Sequence, residues 1–354
     1  MEPSRPSTAT ETTPATAAAT ASATASERPL DPGAARAIEI LREGRRFLVC
    51  GHVRPDGDCI GAEAALARTL ASLGKSVEIV NPDPIEPRFS YLAEACEYRF
   101  FRGSLPEHDV AVLLDFCEIE RTGPMAAHLR RASSKKVVVD HHLSHGAPWW
   151  DAAFVDPTAS ATGVLVYRLA KALGVPLDSA AAKGVFTSIV TDTGWLKYSN
   201  TDAETLRVAS EMVTLGADPN SIYAALNQQR PKVHPLFIGR LLSRAQYYAD
   251  DRLAVVDLPV SEGFASEQLD SDEVLDILRS VATVEVVLYV RELADGTCKL
   301  SARSKGAYDV NALARAFGGG GHKKASGATL QGPLAAAREK VVEAAIAGFP
   351  PSRR

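Results

Sequence analysis

Three times in its first half the chain runs through a few apolar residues and stops on ionisable ones. Phe47-Leu48-Val49-Cys50 leads into Gly51-His52, Ala111-Val112-Leu113-Leu114 into Asp115, and Val137-Val138-Val139 into Asp140-His141-His142. Runs this short, continuous rather than alternating, read as strands covered on both faces, and Val77–Val80 is a fourth. Between and after them lie segments of helical length: 60–73 stopped by Gly74, 161–173 stopped by Gly174, 179–191, and 202–215 with Asp202 as N-cap and Gly216 as C-cap. Alternation of this kind predicts an α/β domain over residues 30–225, a doubly wound and mainly parallel sheet. A parallel sheet sends the carboxyl ends of its strands to one edge, where such folds bind ligands. The ionisable stops are therefore expected to meet.

The loop after the first run, Gly51 to Asp58, carries His52, Asp56 and Asp58. Taken alone it also reads as a Pro/Gly turn whose acids cap the next helix. Asp192 sits at the end of the 179–191 helix, where the helix dipole disfavours an acid unless a donor or a cation answers it. Clustered carboxylates are costly to desolvate, and a metal resolves their repulsion. Asp and His without cysteine define a hard site suited to Mn2+ or Mg2+, with enough groups for two divalent cations.

Composition narrows the function further. Lys+Arg total 39 against 43 Asp+Glu, a net charge of −4, so any anionic substrate must be bound locally rather than by bulk charge. No apolar run approaches a membrane span and no secretory leader is evident, which predicts a cytoplasmic protein. The five cysteines show no metal or disulfide spacing and read as reduced thiols. Residues 1–29, rich in Ala, Ser and Thr, read as a disordered tail. Residues 226–246, with Pro231 and Pro235, read as a linker, and 247–354 as a smaller α+β domain. Its expected elements are a strand at 252–257, a helix at 271–280, a hairpin of 284–291 and 297–303 turned at Asp295-Gly296, a helix at 310–317, a strand near 328–330 and a helix at 333–347. Four glycines, Gly318 to Gly321, precede His322 and follow Ser301, Arg303 and Lys305 on the hairpin. That set makes an anion cradle with a guanidinium fork.

The segments GHVRPDGDCIG, VLLDFCEIERTG, VVVDHH, TDTGWLKYSNT and SARSKGAYDVNALARAFGGGGHKKASG resemble the motifs of DHH-family phosphoesterases with a DHH-associated C-terminal domain, in particular the NrnA-type oligoribonuclease and pAp phosphatase group. The resemblance implies that His52, Asp56 and Asp115 hold one Mn2+, and that Asp58, Asp115, His141 and Asp192 hold a second, with Asp115 bridging. It implies that Asp140 orients an imidazole and that His142 faces the scissile phosphate, so that His142, Asp115 and Asp140 are the catalytic group. Ser301, Arg303, Gly319, Gly320, Gly321 and His322 would bind substrate, with the active site in the interdomain cleft; Arg121 and Lys197 are possible supplements. The implied substrates are short RNA oligonucleotides, the nucleotide bisphosphate pAp, and linear dinucleotides such as pApA, hydrolysed by a homodimer that makes no stable complex with long nucleic acid. Alternatives are a RecJ-like single-strand exonuclease, which would need a further oligonucleotide-binding segment, a pyrophosphatase or exopolyphosphatase, which would lack GGGGH, and a non-catalytic nucleotide sensor, which would lack a ligand. Ala62 and Ala161 stand where the family commonly has serine, which puts helix capping in question there, and His145 is a loop histidine without an assigned role.

Overall fold

The computed structural model describes residues 32–142, 147–262 and 272–349. The Ala/Ser/Thr-rich stretch 1–29 and His145 lie outside the described residues. The chain divides into two units at Gln228/Gln229.

In the first unit the elements run α1 (Pro32–Glu43), β1 (Arg46–Cys50), α2 (Gly57–Ser72), β2 (Ser76–Asn81), α3 (Ser90–Ala93), β3 (Tyr98–Phe100), β4 (Val110–Leu114), α4 (Ala126–Arg131), β5 (Lys135–Asp140), β6 (Ala152–Val155), α5 (Thr162–Leu173), α6 (Ser179–Asp192), α7 (Ala203–Thr214) and α8 (Pro219–Asn227). Every strand pairing is parallel, in the order β3-β2-β1-β4-β5-β6. From β1 the chain winds outward through β2 and β3, then returns to β4 on the other side and winds outward again. The crevice between the carboxyl ends of β1 and β4 is thus the topological switch point. Apolar residues of the central strands alternate between two cores, Val49, Val112 and Val139 on one face and Leu48, Leu113 and Val138 on the other.

Helices α2 and α6 cross at glycines. A Cβ on Gly61 would stand 2.4 Å from the Gly184 carbonyl oxygen, and one on Gly184 would stand 2.6 Å from that of Gly61. With no side chain at either position the two backbones touch.

The second unit contains α9 (Val233–Ser243), β7 (Gln246–Tyr248), β8 (Leu253–Leu258), α10 (Asp272–Arg279), β9 (Val286–Glu292), β10 (Cys298–Ser304), α11 (Val310–Arg315), β11 (Gly320–His322), β12 (Ala325–Leu330) and α12 (Leu334–Ala347). They build a mixed sheet ordered β11-β12-β10-β9-β8-β7, in which β8 and β9 are parallel and the other pairs antiparallel. Leu253 and Val255 face α11 and α12, while Ala254 and Val256 face α9 and α10.

Two expectations change. The stretch 226–246 is not a bare linker: it contains α9, whose Phe237, Ile238 and Leu241 enter the core of the second unit. Pro235 is tolerated because it lies in the first turn, where an amide N–H has no helical partner to lose. The glycine run is not wholly loop either, since Gly320 to His322 form a strand paired with β12. Among the described residues no helix is long and apolar enough to cross a membrane.

Candidate metal centre

Asp115 follows the last residue of β4 and adopts a left-handed backbone, φ 71°, a conformation costing a non-glycine residue about 1 kcal/mol. Its N–H donates to the Val139 carbonyl at 3.0 Å, so the chain turns here under the constraint of β5. The turn brings both carboxylate oxygens into the crevice. Oδ2 lies 3.5 Å from His52 Nε2, and Oδ1 lies 3.6 Å from His141 Nε2.

The imidazoles present lone pairs to these acids. His52 Nδ1 donates to the Val53 carbonyl at 2.9 Å and His141 Nδ1 to the Ala159 carbonyl at 3.2 Å, which leaves Nε2 of each ring as an acceptor. Among the described residues His141 Nε2 is buried without a hydrogen-bond partner, 3.3 Å from Asp58 Oδ2 and 3.8 Å from Asp192 Oδ2. A lone pair enclosed by carboxylate oxygens is repulsive unless a cation or a proton lies between them. Ligand atoms of His52, Asp56 and Asp115 lie within 4.8 Å of one another, and so do those of Asp58, His141 and Asp192 and of Asp115, His141 and His142. The donor set, oxygen and imidazole nitrogen with no sulfur, fits divalent cations.

Helix termini aim the acids. Asp56 caps α2, its Oδ1 accepting from Asp58 N (3.1 Å) and Cys59 N (3.2 Å), while Oδ2 lies 3.9 Å from His52 Nε2. Asp58 caps a different helix: its carboxylate accepts from Thr162 N (2.9 Å) and Gly163 N (3.3 Å) at the start of α5, and from Ser188 Oγ (2.5 Å) on α6. Ala161, the N-cap residue of α5, has no side-chain oxygen to offer, and Asp58 supplies the cap from across the site. Thr162 Oγ1 also donates to Asp115 Oδ1 at 3.0 Å. Asp192 is held by Asn200, whose Nδ2 lies 3.2 Å from both its Oδ2 and its main-chain oxygen.

Thr162, Ser188 and Asn200 are the site residues that sequence reasoning missed. Ser188 precedes Asp192 by one helical turn, a same-face spacing that marked it, and Asn200 sits inside TDTGWLKYSNT. Of the supplementary cations, Arg121 lies in the turn after Asp115, where its main-chain oxygen accepts from Val53 N at 2.7 Å, and the Lys197 ammonium stands 5.2 Å from the Tyr198 ring.

Charge clustering perturbs titration throughout. Burial raises the Asp58 and Asp115 carboxyls, the latter well above the carboxylate range and further through the charge of Asp58. Asp192 is pushed up to about 7 by burial and by Asp58. His52 is lowered, chiefly by burial. Asp140 goes the other way: burial opposes its ionisation, but the hydrogen bond and charge of His142 keep it below the usual value. His142 Nδ1 sits 2.8 Å from Asp140 Oδ1, and that bond raises the imidazole.

The substrate-binding residues expected in the second unit fall on neighbouring strands. Ser301 and Arg303 on β10 pair with Gly327 and Ala325 on β12, which pair in turn with Gly320 and His322 on β11. Residues paired in this way share a face of the sheet, with two strand spacings, about 10 Å, between Arg303 and His322. A Cβ on Gly319 would come within 2.1 Å of the Gly327 oxygen, and Gly321 has φ 137° and a Cβ there would stand 2.6 Å from the Ala325 oxygen, so both positions require glycine. Gly320 is open to solvent.

Acids and imidazoles converging on the switch point of a parallel sheet, with a bare ring nitrogen between carboxylates, define a doubly wound α/β protein with a site for divalent cations. The chain belongs to the DHH family: residues 46–189 match the DHH family, N-terminal domain, and residues 250–348 match the DHHA1 domain. It is similar to the bifunctional oligoribonuclease and PAP phosphatase NrnA of Thermus thermophilus, 35% identical over 310 residues covering 86% of this chain and 91% of the relative. A relative of the same name from Bacillus subtilis is 28% identical, over 79% of this chain and 87% of its own. Among solved structures, an exopolyphosphatase-related protein from Bacteroides fragilis superposes with a TM-score of 0.84 at 26% identity, covering 91% of this chain and 97% of that one.

Proposed function

We propose that this DHH phosphoesterase hydrolyses short, end-recognised nucleotide substrates, RNA oligomers of a few residues and pAp, with linear dinucleotides such as pApA in the same class, using two divalent cations, Mn2+ first among them. The observation that carries the reading is the buried, partnerless Nε2 of His141 among three carboxylates. The identity to a named oligoribonuclease and PAP phosphatase over nearly the whole of both chains supports the substrate class.

His52, Asp56 and Asp115 would hold one ion and Asp58, Asp115, His141 and Asp192 the other. Bound there, the cations supply positive charge that polarises the phosphoryl group and acidifies water. The chain's own residues do the rest. Asp140, kept ionised, holds His142 by Nδ1 and sustains its protonated form, so that the ring can neutralise developing charge or give a proton to the leaving oxygen. Arg303, His322 and the backbone of Gly320 and Gly321 would grip a phosphate or nucleotide of the substrate; the Gly319 amide already donates to the Ala314 carbonyl at 2.9 Å and serves to hold the turn. The family resemblance also implies a cytoplasmic homodimer, which light scattering on the purified protein addresses for its oligomeric part.

The decisive experiment measures nucleotide or phosphate release from pAp, pApA, RNA dimers to pentamers and a long single strand, with Mn2+ and with Mg2+. Preference for the short substrates, abolished in Asp115→Ala, is expected. Equal activity on the long strand would overturn the substrate class, and an active Asp115→Ala the catalytic assignment. Arg303→Ala should raise KM for short nucleotides and leave hydrolysis of a generic activated phosphodiester intact.

A further inference from the structure

Glu63 lies on α2, fully buried, between alanines at 62 and 64, where an apolar side chain would be far cheaper. Its Oε2 accepts a hydrogen bond from Asn81 Nδ2 at 2.9 Å, while Oε1 has no partner among the described residues. Asn81, also fully buried at the end of β2, turns its Oδ1 to the Gly51 N–H at 2.8 Å. Gly51 is the one residue between β1 and His52. A Cβ there would stand 1.9 Å from Cys59 Sγ and 2.9 Å from Glu63 Oε1, so the Gly51 backbone is pressed directly against the acid.

The bonding has only one sense. An asparagine amide alone can turn over and exchange its oxygen for its nitrogen. The Gly51 N–H can only donate, so Asn81 must turn its carbonyl oxygen there, and its NH2 then meets the Glu63 oxygen. Were the amide reversed, its NH2 would oppose the buried Gly51 N–H, two donors facing each other, a costly arrangement. Burial pushes the Glu63 carboxyl up to about 8 against a lowering pull from Asn81, so near neutrality it is largely an uncharged acid offering a carbonyl oxygen.

We propose that Glu63 is a positioning residue, which through Asn81 fixes the Gly51 amide and thereby the place of His52 in the metal centre. This rests on the reading of His52 as a ligand. A partner one bond removed from a ligand commonly changes metal affinity by about 10–100-fold, and an effect near the lower end of that range is expected here.

The test is Mn2+ affinity measured by direct titration, with melting temperature followed in parallel, for the full chain and its Glu63→Leu, Glu63→Gln and Asn81→Ser variants. Glu63→Leu should bind Mn2+ about tenfold more weakly. Glu63→Gln, which still offers an oxygen to Asn81, should stay within about twofold of the parent, a rescue that filling the core would not produce. Should Glu63→Leu fail to fold, Asn81→Ser carries the same expected loss. Unchanged affinity in a folded Glu63→Leu or in Asn81→Ser, or a Glu63→Gln as weak as Glu63→Leu, would overturn the proposal. A parent chain that takes up no Mn2+ would instead sink the metal-centre reading beneath it.

Discussion

At the scale of single residues the molecule is governed by acids kept where water would not leave them. Glu63 is the clearest. Its carboxyl titrates near 8 in the fold against 4.5 unfolded, so the folded chain holds the proton more tightly, and stability falls as pH rises through that interval. Glu63→Gln removes the titration. Its melting temperature should match the parent near pH 5 and exceed it increasingly toward pH 8, as read by thermal denaturation at several pH values in chelator. His142 is shifted in the same direction, by a hydrogen bond and not by burial. Asp140 raises its pKa, so its acid form persists to higher pH, and activity that needs that form is lost as pH climbs through the raised value. Asp140→Asn should move the alkaline limb of the kcat profile to lower pH, and His142→Ala should lower kcat by about 10²–10⁴-fold with a smaller change in KM. An unmoved limb in Asp140→Asn would detach His142 from the proton transfer.

At the scale of elements, the strand ends delivered what their sequence promised and the helix contacts did not. His52, Asp56, Asp58, Asp115, His141 and Asp192 were legible because each stands at the end of a strand or helix, or in the loop just past one, and the parallel sheet sends those ends to one edge. The contacts of Thr162 and Ser188 were illegible because they reach Asp58 across 104 and 130 positions, a pairing that exists only after α2, α5 and α6 have packed, although the spacing of Ser188 to Asp192 put those two on one helix face. That packing turns on the Gly61 and Gly184 contact. Gly184→Ala would put a methyl 2.6 Å from the Gly61 oxygen and 2.9 Å from Ala65 N. It should cost about 1–3 kcal/mol in chemical denaturation. It should also weaken cation binding, since Asp58 rides on α2 and Asp192 on α6. Gly239→Ala, in α9 with open space around it, should gain a few tenths to about 1 kcal/mol by the same measurement. The expected linker shows the opposite failure. Pro231 and Pro235 hid α9, because a proline in a first helical turn and a proline in a connector look alike until Phe237, Ile238 and Leu241 are seen to share a covered face.

For the whole molecule, a net charge of −4 understates how unevenly charge is spread. Asp58, Asp115 and Asp192 are all raised above the ordinary carboxylate value, so without cations they hold protons in the fold that the unfolded chain releases, and stability falls as pH rises above about 4, for Asp192 up to about 7. Divalent cations take the place of those protons. The rise in melting temperature on adding Mn2+ should therefore grow from pH 5 to pH 8 and vanish in chelator; a rise independent of pH would mean that the ions bind elsewhere. The helix caps bear on how such ions come and go. Asp56 and Asp58 are aimed by main-chain N–H groups of α2 and α5, bonds the protein makes by itself. A stripped centre should consequently keep Asp56 and Asp58 aimed, and stopped-flow mixing of the chelated protein with Mn2+ is expected to show uptake without a slow refolding phase.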